Sequence, residues 1–253
     1  MISDIKAIDV HRHYTFGHPL EPKNSSSLQD VDAIKAQADM CNIEKVFVSP
    51  YVAVIGDNRD DAIIESNAHL SELVKGKDFL YQFVVIEPRV EETFKQAREM
   101  LERKKCVGIK LHPPYNKYNL DDYAKKIFDF AAEFETVIQI HPQGFATHIN
   151  PWADKYPQLN FIQAHLSEHG QIEAIKAAKH RNIWTDTSSS SSMQNKLIEY
   201  AYSQIGADRI MFGTDGYANG AQRGRIEYAL IPESAKEDIL RNNALRLFGD
   251  KRK

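Results

Sequence analysis

The sequence is poor in the features that usually assign a chain quickly. Only two cysteines occur in 253 residues, Cys41 and Cys106, and neither sits in a CxxC pair. A disulfide framework is therefore not expected, and both read as buried thiols in a reducing compartment. No apolar run reaches the roughly 18 residues that span a bilayer, and the first residues lack the charged-then-apolar pattern of a signal peptide. The expectation is a cytoplasmic protein without a membrane partner. Lysine and arginine form no block and the net charge is -3, which argues against a nucleic-acid partner. The closing Lys251-Arg252-Lys253 reads as a solvated tail. Phosphate-cradling glycine loops are missing too, since neither GxGxxG nor GxxxxGK[ST] occurs.

What is present is an alternation of short β-branched runs with longer segments of helical spacing. The runs are Lys6–His13, Lys45–Ser49, Leu80–Ile86, Cys106–His112, Thr136–His141, Leu159–His165, Asn182–Asp186 and Arg209–Asp215. Between them, Asp30 is placed to cap a helix carrying Ile34 and Ala38 on one face. Asp60–Lys75 repeats apolar residues at i, i+3, i+4 spacing, and helical segments fill Ile226–Phe248. Strict β-α alternation implies a parallel sheet. Eight units in this length predict a closed (β/α)8 TIM barrel, one α/β domain over 1–253, with a doubly wound sheet as runner-up. The serine run Ser188–Ser192 reads as a loop out of the seventh strand.

Barrel active sites lie at the carboxyl ends of the strands. Five strands carry candidate site residues at that end: His11 and His13 on the first, His112 on the fourth, His141 on the fifth, His165 on the sixth, Asp215 on the eighth. A strand repeats every two residues, so His11 and His13 share a face about 6.6 Å apart along it. Two imidazoles on one face are half of a metal site. His141 and Asp215 are candidate ligands, and His165 is a ligand or a base. His112, followed by two prolines, either reaches substrate or hydrogen-bonds within its loop. His18, His69, His148, His169 and His180 lie in loops or helices and read as surface or structural residues.

Lys110 shares the parity of Gly108 and His112 and so points into the barrel, where an unpaired ammonium is costly. Three roles stay open: a carbamate bridging two metals, a partner for a substrate carboxylate, or an ion pair with an acid such as Asp215. Arg12, between the two histidines, faces outward. Arg59, Arg89 and Arg223 are further cations, for which structural roles are preferred.

These residues carry a resemblance. Asp9-Val10-His11-Arg12-His13, Glu87-Pro88-Arg89, Val107 to Pro113, Gln139-Ile140-His141, Ala164 to Ser167, Met211 to Asp215 and the closing Asn243 to Phe248 resemble the amidohydrolase superfamily. The narrower likeness is to its amidohydrolase-2 branch, which includes aminocarboxymuconate-semialdehyde decarboxylase, aromatic acid decarboxylases and related hydrolases and hydratases. The resemblance implies one divalent metal on His11, His13, His141 and Asp215, with His165 beside it handling a water proton. A second metal would need carbamylated Lys110 or His165 as a ligand. Three imidazoles and a carboxylate suit zinc, with manganese or another divalent ion as alternatives. Lys110 and His112 are the substrate-binding candidates.

The leading expectation is a metal-dependent hydrolase, activated water attacking a C–N or C–O bond of a small, carboxylated substrate. Asp215 or His165 would take the water's proton. The alternative on the same ligands is a lyase, a non-oxidative decarboxylase or hydratase. A non-catalytic barrel is the third reading. A small molecule is the expected partner, and the resemblance implies a homodimer.

Overall fold

The computed structural model describes residues 2–15, 30–56, 60–167, 170–216 and 218–249. The β-branched runs form eight strands: β1 (Ala7–Tyr14), β2 (Ile43–Pro50), β3 (Leu80–Val85), β4 (Cys106–Leu111), β5 (Val137–Ile140), β6 (Asn160–Gln163), β7 (Ile183–Asp186) and β8 (Ile210–Met211). They pair in parallel in chain order. Val10 N donates to Phe212 O at 3.0 Å and Asp215 N to His11 O at 2.7 Å, so the last strand returns to the first as a (β/α)8 barrel. Among the described residues no helix is long and apolar enough to cross a membrane.

Helices fill the intervals: α1 (Val31–Met40), α2 (Asp60–Lys75), α3 (Glu91–Leu101), α4 (Pro113–Asn116), α5 (Leu120–Ala132), α6 (Asn150–Lys155), α7 (Gln171–Ala177), α8 (Leu197–Ile205), α9 (Asn219–Glu227), α10 (Glu233–Glu237) and α11 (Asn243–Phe248). Asp30 caps α1 as expected, its side chain accepting from Ala33 N. Helix after the eighth strand begins at Asn219, seven residues before the predicted start.

Two apolar clusters fill the space between strands and helices. A third draws Ile8 and Val10 from β1, Phe47, Tyr81, Phe83, Val107, Val137, Ile162, Trp184 and Met211 from the other seven strands, and Phe248 from α11. A cluster fed by all eight strands can only be the barrel interior. Phe248 meets Phe47 edge-on at 4.9 Å between centroids, so α11 plugs the barrel.

Two irregularities correct the simple parity expected of the strands. Ile8 and Val10 line the interior, yet His11 and His13 also reach the mouth. The β1–β2 register slips between Asp9 and Arg12, which match Val46 and Val48. That bulge turns the strand end, sending Arg12 outward against Gln37 of α1. The register also slips where Gln82 and Phe83 match Cys106 and Gly108, which leaves Val107 as the extra residue. Strand β8 is two residues rather than seven, because Phe212 N leaves the ladder for Ile239 O at 2.9 Å.

Gly108 sits at the second bulge, where a Cβ would lie 2.3 Å from Val137 O and 2.9 Å from Phe83 Cε1. Carbonyl and ring are both fixed by the barrel wall. Gly108→Ala is expected to cost about 3 kcal/mol through overpacking. In a chain of this size that lowers the melting temperature by roughly 6–12 °C. Calorimetry showing an unchanged melting temperature would contradict this packing.

Candidate metal centre

The end of β1, with its bulge, delivers His11 and His13 to the barrel mouth with ring centroids 5.4 Å apart. Asp215, just beyond β8, meets both: its Oδ1 is 3.1 Å from His13 Nε2 and 3.7 Å from His11 Nε2. Two donors on one tetrahedral ion, each about 2.1 Å from it, stand about 3.4 Å apart. The separations of His11, His13 and Asp215 therefore fit a shared cation, and they form one of two groups able to hold a metal ion among the described residues. Asp215 and His165 both have left-handed backbone, with φ of 59° and 65°. Such strain is held in place by its surroundings and is concentrated at functional residues.

His165, following β6, stacks on His11 at 5.0 Å and stands 5.1 Å from the His141 ring. His141 shares the mouth, but its donor atoms fall outside both close groups. The second group is His11, His165 and Asp186, which shares His11 with the first.

The Nδ1 side of each ring has a partner. For His13 it is Ser49 Oγ at 2.9 Å, and for His141 it is the Pro142 carbonyl at 3.2 Å. His11 Nδ1 lies 3.0 Å from Asp186 Oδ2 and 3.0 Å from Ser188 Oγ. His165 Nδ1 lies 2.9 Å from the same hydroxyl. The Nε2 atoms of His11 and His13 face Asp215 Oδ1 across the mouth. A buried carboxylate behind a ligand histidine fixes its orientation. Burial pushes His13, His141 and His165 down to about 4, so all three are neutral donors near neutrality. Asp215 is held well below the usual carboxylate range: burial opposes this, and the His13 hydrogen bond with the charges of His11 and His13 outweighs it.

Lys110 is 1% exposed, and its Nζ lies 2.8 Å from His11 Nε2. Burial lowers its pKa to about 8 against the opposing charges of Asp186 and Asp215. Its hydrogen-bond partner is thus an imidazole; the acids act on it through charge.

His112 makes a hydrogen bond within its loop and also stands at the mouth. Its Nδ1 accepts from Tyr115 N at 3.3 Å, capping α4, and its ring stacks on His141 at 4.2 Å. Arg89 is bound to Glu87 by two contacts of 2.6 and 2.8 Å. Arg223 holds the carbonyls of Asn42 and Ile5 at 3.0 and 2.9 Å. His69 meets Tyr14 and His148 meets Asp121. His18, His169 and Arg59 lie outside the described residues.

Asp186 and Ser188 were not singled out from the sequence. An acid at the end of the seventh strand was the available signal, and it follows the same rule that found the histidines. Asp9 was also passed over. It is fully buried, accepts from Thr214 Oγ1 at 2.6 Å and Thr214 N at 3.0 Å, and ties β1 to the loop that carries Asp215. Burial, partly offset by Arg12, raises its pKa to about 7.

A family model described as amidohydrolase (amidohydrolase 2) matches residues 8–249. Among curated relatives, gamma-resorcylate decarboxylase of a Polaromonas species is 29% identical over 117 residues. That match spans 38% of this chain and 36% of the relative. Similar solved structures include 5-carboxyvanillate decarboxylase of Sphingomonas paucimobilis, with 13% identity, TM-score 0.77, and 97% of this chain and 99% of that one covered. A dihydroxybenzoic acid decarboxylase of Polaromonas, solved with manganese and the inhibitor 2-nitroresorcinol, has 17% identity, TM-score 0.75, and 98% of each chain covered. A putative 2-pyrone-4,6-dicarboxylic acid hydrolase of Pseudomonas putida has 16% identity, TM-score 0.73, and 97% and 98% covered. At these identities the structural likeness speaks for the fold. The matched stretch runs from β1 through all eight strands to the end of α11, and on that ground the chain belongs to the amidohydrolase-2 family of enzymes.

Proposed function

We propose that the protein is a metal-dependent non-oxidative decarboxylase of a small, hydroxylated aromatic acid. This reverses the order expected from sequence, where hydrolysis came first. The observation that carries the reversal is the match to gamma-resorcylate decarboxylase. The buried ammonium of Lys110 beside the imidazole centre supports a carboxylated substrate.

The proposed ion is held by His11, His13, His141 and Asp215. Manganese, the ion in the Polaromonas neighbour, is the first to test, then zinc. When bound, a divalent ion would supply Lewis-acid charge to substrate oxygens and so hold the ring hydroxyl ionised, which enriches the ring carbon in electron density. Lys110 Nζ pairs with the substrate's carboxylate or phenolate oxygen, a contact that gains strength from burial. His165 Nε2 takes a proton from solvent and passes it to the ring carbon bearing the carboxylate. The C–C bond then breaks, its electron pair returns to the ring and restores aromaticity, and carbon dioxide leaves. His112, braced against His141, walls the substrate ring.

The test is direct. Metal-loaded protein is incubated with hydroxybenzoates and, separately, with lactones, and carbon dioxide release is scored against acid release. Carbon dioxide from at least one hydroxybenzoate, with no lactone opened, is the expected result. Acid release without carbon dioxide would restore the hydrolase reading, for which the 2-pyrone-4,6-dicarboxylic acid hydrolase neighbour offers a fold precedent.

A further inference from the structure

The run Ser188–Ser192 looks like low-complexity loop, yet it is built into the fold. Ser192 Oγ donates to, or lies within 3.0 Å of, the carbonyls of Thr187, Ser188 and Ser189. Arg225 Nη1 of α9 holds the same hydroxyl at 3.0 Å. Gln222 Nε2 holds Ser189 O at 3.0 Å. Ser189 itself sits at φ 71°. This bracing aims the Ser188 hydroxyl at three groups at once: Asp186 Oδ1, His11 Nδ1 and His165 Nδ1.

Counting protons decides who donates. Asp186 Oδ1 already receives the Ser188 amide at 3.0 Å, and amides only donate, so it is an acceptor. The single Ser188 proton goes to that carboxylate oxygen, which can only accept. The serine oxygen is then left as acceptor, and His165 must present Nδ1–H to it. At His11 two observations agree. Between a carboxylate oxygen and an imidazole nitrogen the proton resides on the more basic nitrogen, which puts it on Nδ1 facing Asp186 Oδ2. On the other side of the ring Lys110 Nζ, a donor, faces Nε2 at 2.8 Å.

We propose that Asp186 and Ser188 act as one positioning unit that sets the ring tautomers of His11 and His165 together. One shared hydrogen-bond chain thereby turns the lone pair of a proposed ligand and that of the proposed proton carrier toward the same space. His13 differs: its Nε2 faces the Asp215 carboxylate at 3.1 Å, which favours Nε2–H when no ion is bound, and the Ser49 hydroxyl can donate to its Nδ1. The inference rests on the site assignment proposed above, and not on which reaction the site performs.

Ring-nitrogen NMR of the full-length 15N-labelled protein tests it, with His165→Gln used to assign one ring. In the metal-free wild type both His11 and His165 are expected as Nδ1–H tautomers. Ser188→Ala is expected to move a large share of His165 to Nε2–H while leaving His11, still held by Asp186, in place. In Asp186→Asn the amide can donate to His11, and its affinity for manganese is expected to fall about 10- to 100-fold. Finding His165 as Nε2–H in the wild type, or its tautomer unchanged in Ser188→Ala, overturns the proposal. If Asp186→Asn does not fold, the wild-type and Ser188→Ala spectra still decide. Failure of every decarboxylation assay would leave these spectra untouched, so the two readings fall separately.

Discussion

Asp215→Asn is expected to remove both metal binding and turnover while leaving the fold intact. Asparagine has nearly the same volume and tolerates the left-handed backbone that Asp215 adopts at φ 59°. The Asp215 amide keeps its bond to His11 O at 2.7 Å, so the loop after β8 stays where it is. What disappears is the one negative charge placed between His11 Nε2 and His13 Nε2. Loss of a mere outer partner costs 10- to 100-fold in metal affinity. Loss of the anionic donor itself is expected to cost on the order of 10³-fold, by comparison with that range. Turnover follows the metal down by at least about 10³-fold. Metal content after dialysis, with carbon dioxide release on the best hydroxybenzoate, measures both. A variant that keeps one equivalent of manganese and activity within tenfold of wild type would remove Asp215 from the centre.

The barrel could be read from sequence because parallel strands are buried on both faces and show up as apolar runs. Their polar ends stand out against that background, which is why His11, His13, His165 and Asp215 are legible as candidates in the sequence. The parts that escaped depend on contacts between distant segments. The bulge between Asp9 and Arg12 answers to the register with β2, and nothing local to Asp9-Val10-His11 announces it. The early end of β8 reflects Phe212 bonding to Ile239, 27 residues on. Ser188 looked like one serine among five. Its role comes from Arg225 and Gln222 on another helix, which hold the run in one shape. Hydrolysis and decarboxylation share the same ligands, so ligand spacing alone could not rank them.

Lys110→Met is expected to move substrate and metal binding in opposite directions. The ammonium lies 2.8 Å from His11 Nε2, within the space a cation between His11 and Asp215 would claim. Its charge therefore competes with a divalent ion for the same carboxylates, Asp186 and Asp215. Methionine is unbranched and one atom shorter and removes that charge, so manganese is expected to bind more tightly. A carboxylated substrate loses its counter-charge in a buried site, where truncating one partner of an ion pair costs about 2–5 kcal/mol. That corresponds to a fall in kcat/KM of roughly 30- to 4,000-fold. Lys110→Arg is no remedy, because the bulkier planar group does not fit the place of a compact ammonium. If Lys110 served only to neutralise Asp186 and Asp215, metal affinity would rise with kcat/KM unchanged. Chelator competition together with carbon dioxide release kinetics separates these cases, and an unchanged kcat/KM would remove Lys110 from substrate binding.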